Sequence, residues 1–264
     1  MQKYQPHIKC KEGDIAKIVL IPGDPGRVLE IVKLWDEAKE VANNREFLTY
    51  TGKYKGIDVS ATSTGIGCPS AAIAVEELAN IGAEIFIRIG TCGALKEEIK
   101  LGDLIIPFAA IRAEGTTKEY IDPEFPSVAD FDITKFLEES AKELNFSYYK
   151  GIDRCHDAFY EHIDNMLKWG KFYEDKRLSN YNYPLISSEM ECSAVFLVSM
   201  LRGLKAGAVL AVNTTEPLNK IAANPDLVYE LIESNDTREG INRAVRVALK
   251  TVEKLGGKNE NNND

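Results

Sequence analysis

At 264 residues the chain is long enough for one large α/β domain or two small ones, and a single layered domain is the expectation. Its 44% apolar and 28% charged residues are those of an ordinary globular protein, and no apolar run reaches the roughly 18 to 20 residues of a membrane helix, so a membrane is not an expected partner. The net charge of −9 would repel a phosphate backbone and no run of lysines and arginines interrupts it, which argues against a nucleic-acid polymer but not against a small anion held by a few local arginines. Met1 to Asp14 lacks the apolar segment of a signal peptide or lipid anchor, so a cytoplasmic protein is expected. The cysteines (Cys10, Cys68, Cys92, Cys155, Cys192) are odd in number, scattered and free of any Cys-x-x-Cys pair, which speaks for reduced thiols and against a zinc site.

In chain order, Ile18 to Ile21 reads as a buried strand that stops at Pro22-Gly23-Asp24-Pro25-Gly26, and Arg27 to Trp35 follows with helical spacing. Ile57 to Thr62 is a second strand, ended by Gly65-Ile66-Gly67-Cys68-Pro69-Ser70 before an alanine-rich helix from Ala71 to Ile81. Ile85 to Ile89 is apolar and mostly β-branched apart from Arg88, and runs into Gly90-Thr91-Cys92-Gly93. Leu104 to Ile111 is the next strand, Phe131 to Leu144 an amphipathic helix, Pro184 to Ser187 a short strand end, and Glu191 to Leu201 an apolar helix. Gly207 to Val212 is the last strand, stopping at Asn213-Thr214-Thr215-Glu216-Pro217. An amphipathic helix from Thr237 to Leu255 closes a domain of residues 1–255, and 256–264 reads as a disordered tail. Alternating β-rich runs and amphipathic stretches define an α/β fold with a mainly parallel or mixed sheet.

Arg88 stands out because burying an unpaired guanidinium costs several kcal/mol, so it needs an anionic partner, and α/β folds commonly bind ligands at the carboxyl end of the sheet. That partner is either a ligand or an internal Asp or Glu; the residue alone does not choose. Gly90, Thr91 and Gly93 would expose amides and a hydroxyl beside it, and Gly23 with Arg27 offers a second amide-rich turn at a helix start, both suited to an oxyanion. Gly65-x-Gly67-x-x-Ser70 lacks the third glycine and the ribose-binding acid of a dinucleotide fingerprint. Glu189-Met190-Glu191 could accept bonds from a sugar diol or favour a helix dipole. His7, His156 and His162 show neither a metal-pair spacing nor a nucleophile partner, so a metal-free mechanism is expected.

Taken together, Ile21-Pro22-Gly23-Asp24-Pro25-Gly26-Arg27-Val28, Asn44-Arg45-Glu46, Thr64-Gly65-Ile66-Gly67, Ile87-Arg88-Ile89-Gly90-Thr91-Cys92-Gly93-Ala94 and Glu189-Met190-Glu191 resemble the nucleoside phosphorylase family of uridine phosphorylases and hexameric purine nucleoside phosphorylases. The likeness spans nearly the whole chain. It implies a three-layer α/β/α domain with a central mixed, partly barrel-like sheet, and phosphorolysis of a nucleoside with inorganic phosphate as co-substrate and no organic cofactor. By the same resemblance Gly23, Arg27, Arg88 and Thr91 hold phosphate, joined by Arg45 from a neighbouring subunit. Met190 and Glu191 face the ribose beside Glu189, and His7 of an adjacent chain binds the 5′-hydroxyl. Arg88, Glu191 and Asn213 are the catalytic set, in a homo-oligomer whose minimal unit is a dimer and whose usual form is a hexamer.

The base is less clearly written. Phe159-Tyr160 is present, but the Gln-x-Arg pair that uridine phosphorylases carry soon after it is replaced by Glu161-His162-Ile163-Asp164-Asn165. Asn213 stands where purine-cleaving relatives place an aspartate, and an amide is no general acid. Val212-Asn213 followed by Thr215 resembles the uridine enzymes, and Glu46, Ile66 and Ser70 match positions that bind a monovalent cation such as potassium in some of them. Phe125-Pro126-x-Val128-x-Asp130-Phe131-Asp132 instead resembles protozoal purine phosphorylases. Uridine is the leading substrate and a 6-oxopurine nucleoside the alternative, with Thr91, Cys92, Phe159, Tyr160 and Asn213 around the base. A hydrolytic nucleosidase, which would have no need of Arg27, Arg45 and Arg88, and a non-catalytic nucleoside-binding protein are the competing readings.

Overall fold

The computed structural model describes residues 3–160, 164–165, 168–169, 185–215, 224 and 226–261. Strand β1 (Ile18–Pro22) pairs in parallel with β4 (Ile57–Thr62) on one side and with β5 (Ile85–Ala94) on the other, and β5 pairs in parallel with β10 (Lys205–Thr214). All of β1 is buried, so it reads as an unbroken apolar run rather than an alternating one. Its consecutive side chains feed two separate cores: Val19 and Ile21 pack on α2 (Cys68–Asn80) and α4 (Cys192–Leu201), whereas Ile18 and Leu20 pack with α1 (Pro25–Val32), α3 (Phe131–Glu143) and α6 (Asn235–Asn261). A sheet between two helical layers follows directly from that alternation.

Beyond β5 the sheet closes on itself. β10 pairs with β6 (Leu104–Ala113), β6 with β8 (Tyr148–His156), β8 with β9 (Leu185–Glu189), and β9 returns to β5, which makes a ring of five strands. On the other flank β4 leads to β3 (Phe47–Tyr54) and β2 (Glu37–Asn44), an open edge. The expected three-layer fold with a partly barrel-like sheet is therefore what forms. Strands β2, β3 and β8 are absent from the sequence-based element order; β2, Glu-Ala-Lys-Glu-Val-Ala-Asn-Asn, carries the charges that blunt an edge strand and lacks an apolar face to announce it.

Several elements run longer than their patterns predict, two of them with consequences for the site or the tail. β5 continues through Gly90-Thr91-Cys92-Gly93, and α6 reaches Asn261, so residues 256–261 of the expected tail continue the helix. Helix starts match their signals better: Asp24 caps α1 through a bond from the Gly26 amide at 2.8 Å with Pro25 in the first turn, and Asp130 caps α3 through the Ile133 amide at 3.0 Å. Two short pieces complete the described order, β7 (Ser127–Val128) beside β6 and α5 (Asp226–Ile232) before α6.

Candidate active site

The parallel strands β4, β1, β5 and β10 all deliver their carboxyl ends to one edge of the sheet, where the turns after β1 and β4 lie against each other. The Thr64 amide donates to Pro22 O and the Gly65 amide to Gly23 O, each at 2.9 Å, and a Cβ on Gly23 would stand 3.0 Å from the Gly65 carbonyl oxygen. Gly23 is thus required for the two backbones to approach, and Gly65, at φ +70°, for the turn itself. Arg27, in the first turn of α1, reaches under this pair of turns and donates from Nη1 to Ile89 O at 3.1 Å. It forms no ion pair among the described residues. Burial pulls its pKa down; Asp24 counters this, and the like charge of Arg88 adds to the fall.

Arg88 is differently placed. It is only 4% exposed and its guanidinium is gripped by two carboxylates: Nε and Nη2 reach Glu189 Oε2 at 3.1 and 3.0 Å, and Nη2 also bonds Glu191 Oε2. Burial works against the charge, but Glu191 and Glu189 outweigh it and hold the pKa of Arg88 above the ordinary arginine value. An internal ion pair, one of the two partners the sequence left open, is therefore formed. Gly90 makes room for it: a Cβ there would lie 2.7 Å from Arg88 Nη2 and 2.8 Å from Leu210 Cδ2.

The two glutamates divide their work. Glu189 is the helix-dipole residue, accepting from the amides of Glu191 and Cys192 at 2.9 Å at the start of α4. Glu191 does not cap that helix; its Oε1 accepts from the Gly67 amide at 2.6 Å, across from the turn after β4. Burial raises the pKa of Glu191, partly offset by Arg88. Met190 lies between them, half-buried, with its carbonyl accepting from Cys68 Sγ at 3.3 Å.

Other expected site residues fall into three groups. Thr91 and Gly93 are sheet residues and not an open amide-rich turn, since β5 pairs there with Ala211 and Thr214 of β10 and, at Gly93, with Ser188 of β9. Cys92 is buried, within electrostatic reach of Glu189 and Arg88, and burial drives its thiol well up in pKa. Asn213 sits in a β-bulge between Val212 and Thr214, a device that re-aims a side chain at a strand end. Phe159 and Tyr160 meet edge to face at 5.1 Å and are 50% and 89% exposed, so this aromatic pair is not core.

His7 is tied within its own chain: Nδ1 lies 2.6 Å from Glu77 Oε1, while the amides of His7 and Ile8 both bond Glu77 Oε2 at 2.9 Å. Arg45 occupies the exposed two-residue turn between β2 and β3 at φ +56°. Ser70 Oγ donates to Glu46 Oε1 at 2.9 Å, and Ile66 is 79% exposed. Glu161, His162, Ile163, Pro184, Glu216 and Pro217 lie outside the described residues. Sequence reasoning missed the Gly67 amide and Asp153, a fully buried β8 carboxylate near Glu189. The only signal for Asp153 was an acid inside Gly151-Ile152-Asp153-Arg154-Cys155, a stretch with no clean period.

With that geometry, the chain matches the model of the phosphorylase superfamily over residues 17–254, and it belongs to that family. It is similar to the uridine phosphorylase of Thermococcus kodakarensis, 46% identical over 87% of this chain and 84% of the relative. The guanosine phosphorylase of Halorubrum lacusprofundi is 39% identical over 95% and 99%. Among solved structures, the purine nucleoside phosphorylase of Toxoplasma gondii superimposes with a TM-score of 0.85 at 31% identity, covering 97% of this chain and 98% of that one. No helix among the described residues is long and apolar enough to cross a membrane.

Proposed function

We propose that the protein is a nucleoside phosphorylase: a phosphate oxygen attacks C1′ of the ribose, the C1′–N bond breaks with its electron pair passing to the base, and ribose 1-phosphate and the free base are released. The bond-breaking step builds positive charge on the sugar, as in other glycosyl transfers, so an anion held beneath C1′ is at once counter-ion and nucleophile. One observation carries the reading: Arg27, a guanidinium with no ion pair among the described residues, stands with Arg88 at the carboxyl end of the parallel strands. A dianion placed there would give Arg27 the counter-charge that Arg88 already has.

Gly23, Arg27, Arg88 and Thr91 form the phosphate subsite, completed by Arg45 from a second copy. Glu191 takes the ribose hydroxyls, with Met190 against the sugar and Glu189 positioning Arg88. In the resting site Glu191 bonds Arg88. When substrates enter, ribose hydroxyls donate to Glu191 and phosphate oxygens accept from Arg88, so each group exchanges an internal charge for a substrate contact. His7 of the second copy serves the 5′-hydroxyl, and Phe159, Tyr160 and Asn213 flank the base. Active dimers assemble into a hexamer in the cytoplasm, with a monovalent cation at Glu46, Ile66 and Ser70.

Uridine is the first substrate to test, on the strength of the Thermococcus relative. Asn213 favours a second reading, 6-oxopurine nucleosides, because its amide can both donate to and accept from that edge, and a guanosine phosphorylase is a comparably complete relative. Assaying uridine, thymidine, inosine, guanosine, adenosine and methylthioadenosine with and without phosphate decides base and reaction together. Base release at an equal rate in phosphate-free buffer would make the enzyme a hydrolase, and binding without turnover would make it a nucleoside-binding protein.

A further inference from the structure

Arg88 owes its aim to Glu189, and the side chain that faces Glu189 from the far side is Asp153. Asp153 is on β8, one strand over from β9, and is 0% exposed. Its Oδ1 accepts from Ser187 Oγ at 2.7 Å, while Oδ2 is buried without a hydrogen-bond partner among the described residues. A carboxylate oxygen of Asp153, one of Glu189 and the Cys192 sulfur lie within 4.8 Å of one another. Facing the pair are Arg88 and Cys92 from β5 and Cys192 from α4, with Cys155 on Asp153's own strand.

Two carboxylates this close in a dry interior cannot both ionise, and the surroundings decide which one does. Glu189 receives the Arg88 guanidinium and two backbone amides at the start of α4. Asp153 receives one hydroxyl and, among the described residues, no ion pair. An ionised Oδ2 would be a buried negative oxygen with no donor among the described residues, a cost of several kcal/mol, whereas a protonated Asp153 supplies a donor beside Glu189. Burial first and the Glu189 charge second drive the Asp153 pKa well above its ordinary value, in keeping with this assignment.

We propose that Asp153 is a positioning residue that works as a neutral acid, its Oδ2 proton shared with Glu189 so that Glu189 stays ionised and holds Arg88 in register for phosphate. The idea rests on the phosphate subsite described above. It adds a charge condition to that subsite. With the proton in place, Asp153 adds no negative charge beside Glu189 and Glu191; without it the same pocket carries one extra negative charge and resists the incoming anion.

The test compares the full-length protein with Asp153→Asn and Asp153→Ala. Infrared difference spectra at neutral pH should show a protonated carboxyl C=O band in the parent that Asp153→Asn removes; loss of carboxylate bands alone would overturn the proposal. In kinetics at varied phosphate, Asp153→Asn, which keeps a donor toward Glu189 and an acceptor for Ser187, should stay within about threefold of the parent, while Asp153→Ala should lose about tenfold or more in kcat/KM for phosphate through misaimed Arg88. Equal impairment of the two variants, or an unimpaired alanine variant, would refute the role. Should Asp153→Ala fail to fold, the infrared result and the asparagine kinetics still decide. A parent that releases base independently of phosphate would defeat the phosphorylase reading while leaving the infrared result to judge Asp153.

Discussion

Arg27 and Arg88 stand at the same edge of the sheet and carry the same charge, yet their surroundings differ. Arg88 comes from the middle of a ten-residue strand and is wrapped by Glu189 and Glu191, whereas Arg27 comes from the first turn of a helix and holds a single carbonyl oxygen. One cation is satisfied within the protein; the other lacks a counter-charge among the described residues. The contrast separates two jobs. Arg88 is part of the architecture that fixes Glu191, and under the proposed function Arg27 is the guanidinium left to meet the phosphate.

That division predicts unequal mutants. Arg88→Ala leaves two buried carboxylates without their cation, so it should cost about 3–5 kcal/mol in chemical denaturation and lower kcat/KM by about 100-fold or more; intact stability would show that the carboxylates were never held by it. Gly90→Ala forces a methyl into Arg88 Nη2 and Leu210, and should destabilise by about 1–3 kcal/mol with a parallel drop in phosphate use. Arg27→Ala should raise the KM for phosphate about tenfold while leaving the denaturation midpoint nearly unchanged, since a charge-assisted bond to ligand is lost but no internal pair is. If Arg27→Ala destabilised the fold as much as Arg88→Ala does, the distinction between the two arginines would collapse.

A surface cluster provides the low end of the scale. Glu138 accepts from Lys142 and Lys150, each at 2.7 Å, and from Tyr148 at 3.0 Å; burial pushes its pKa up, and these bonds outweigh it to bring the pKa to about 2. A depressed carboxyl pKa contributes stability that is fully present above the ordinary value of 4.5 and is lost as pH falls through about 2. Glu138→Gln should therefore be less stable than the parent near neutrality by under about 1 kcal/mol, the difference shrinking below pH 4.5 and vanishing near 2. A difference that persists at the acid end would point to packing rather than charge.

How far the sequence was readable depends on the range of the interaction. The strand–turn–helix unit from Ile18 through α1 was plain because Asp24, Pro25 and Gly26 act on their own backbone within a few residues. Arg88 and Glu191 could be singled out by chemical type, but not their bond to each other, 103 positions apart. Gly90 to Gly93 looked like a turn because glycines usually mark one, and only the approach of the Arg88 guanidinium and the pairing with β10 explain a strand there. Asp153 was silent, since nothing local distinguishes a buried acid from a solvated one.

The sequence by itself determined the alternation of elements, the two glycine turns with their helix caps, and the presence of buried charge at a strand end, all of which are set by neighbours along the chain. Tertiary structure alone decided that five strands close into a ring, that Glu191 faces the Gly67 amide, and that Arg88 rather than Arg27 takes the carboxylates. Those outcomes depend on low-dielectric contacts between segments remote in sequence, where a charge's partner is fixed by which strand happens to lie beside it.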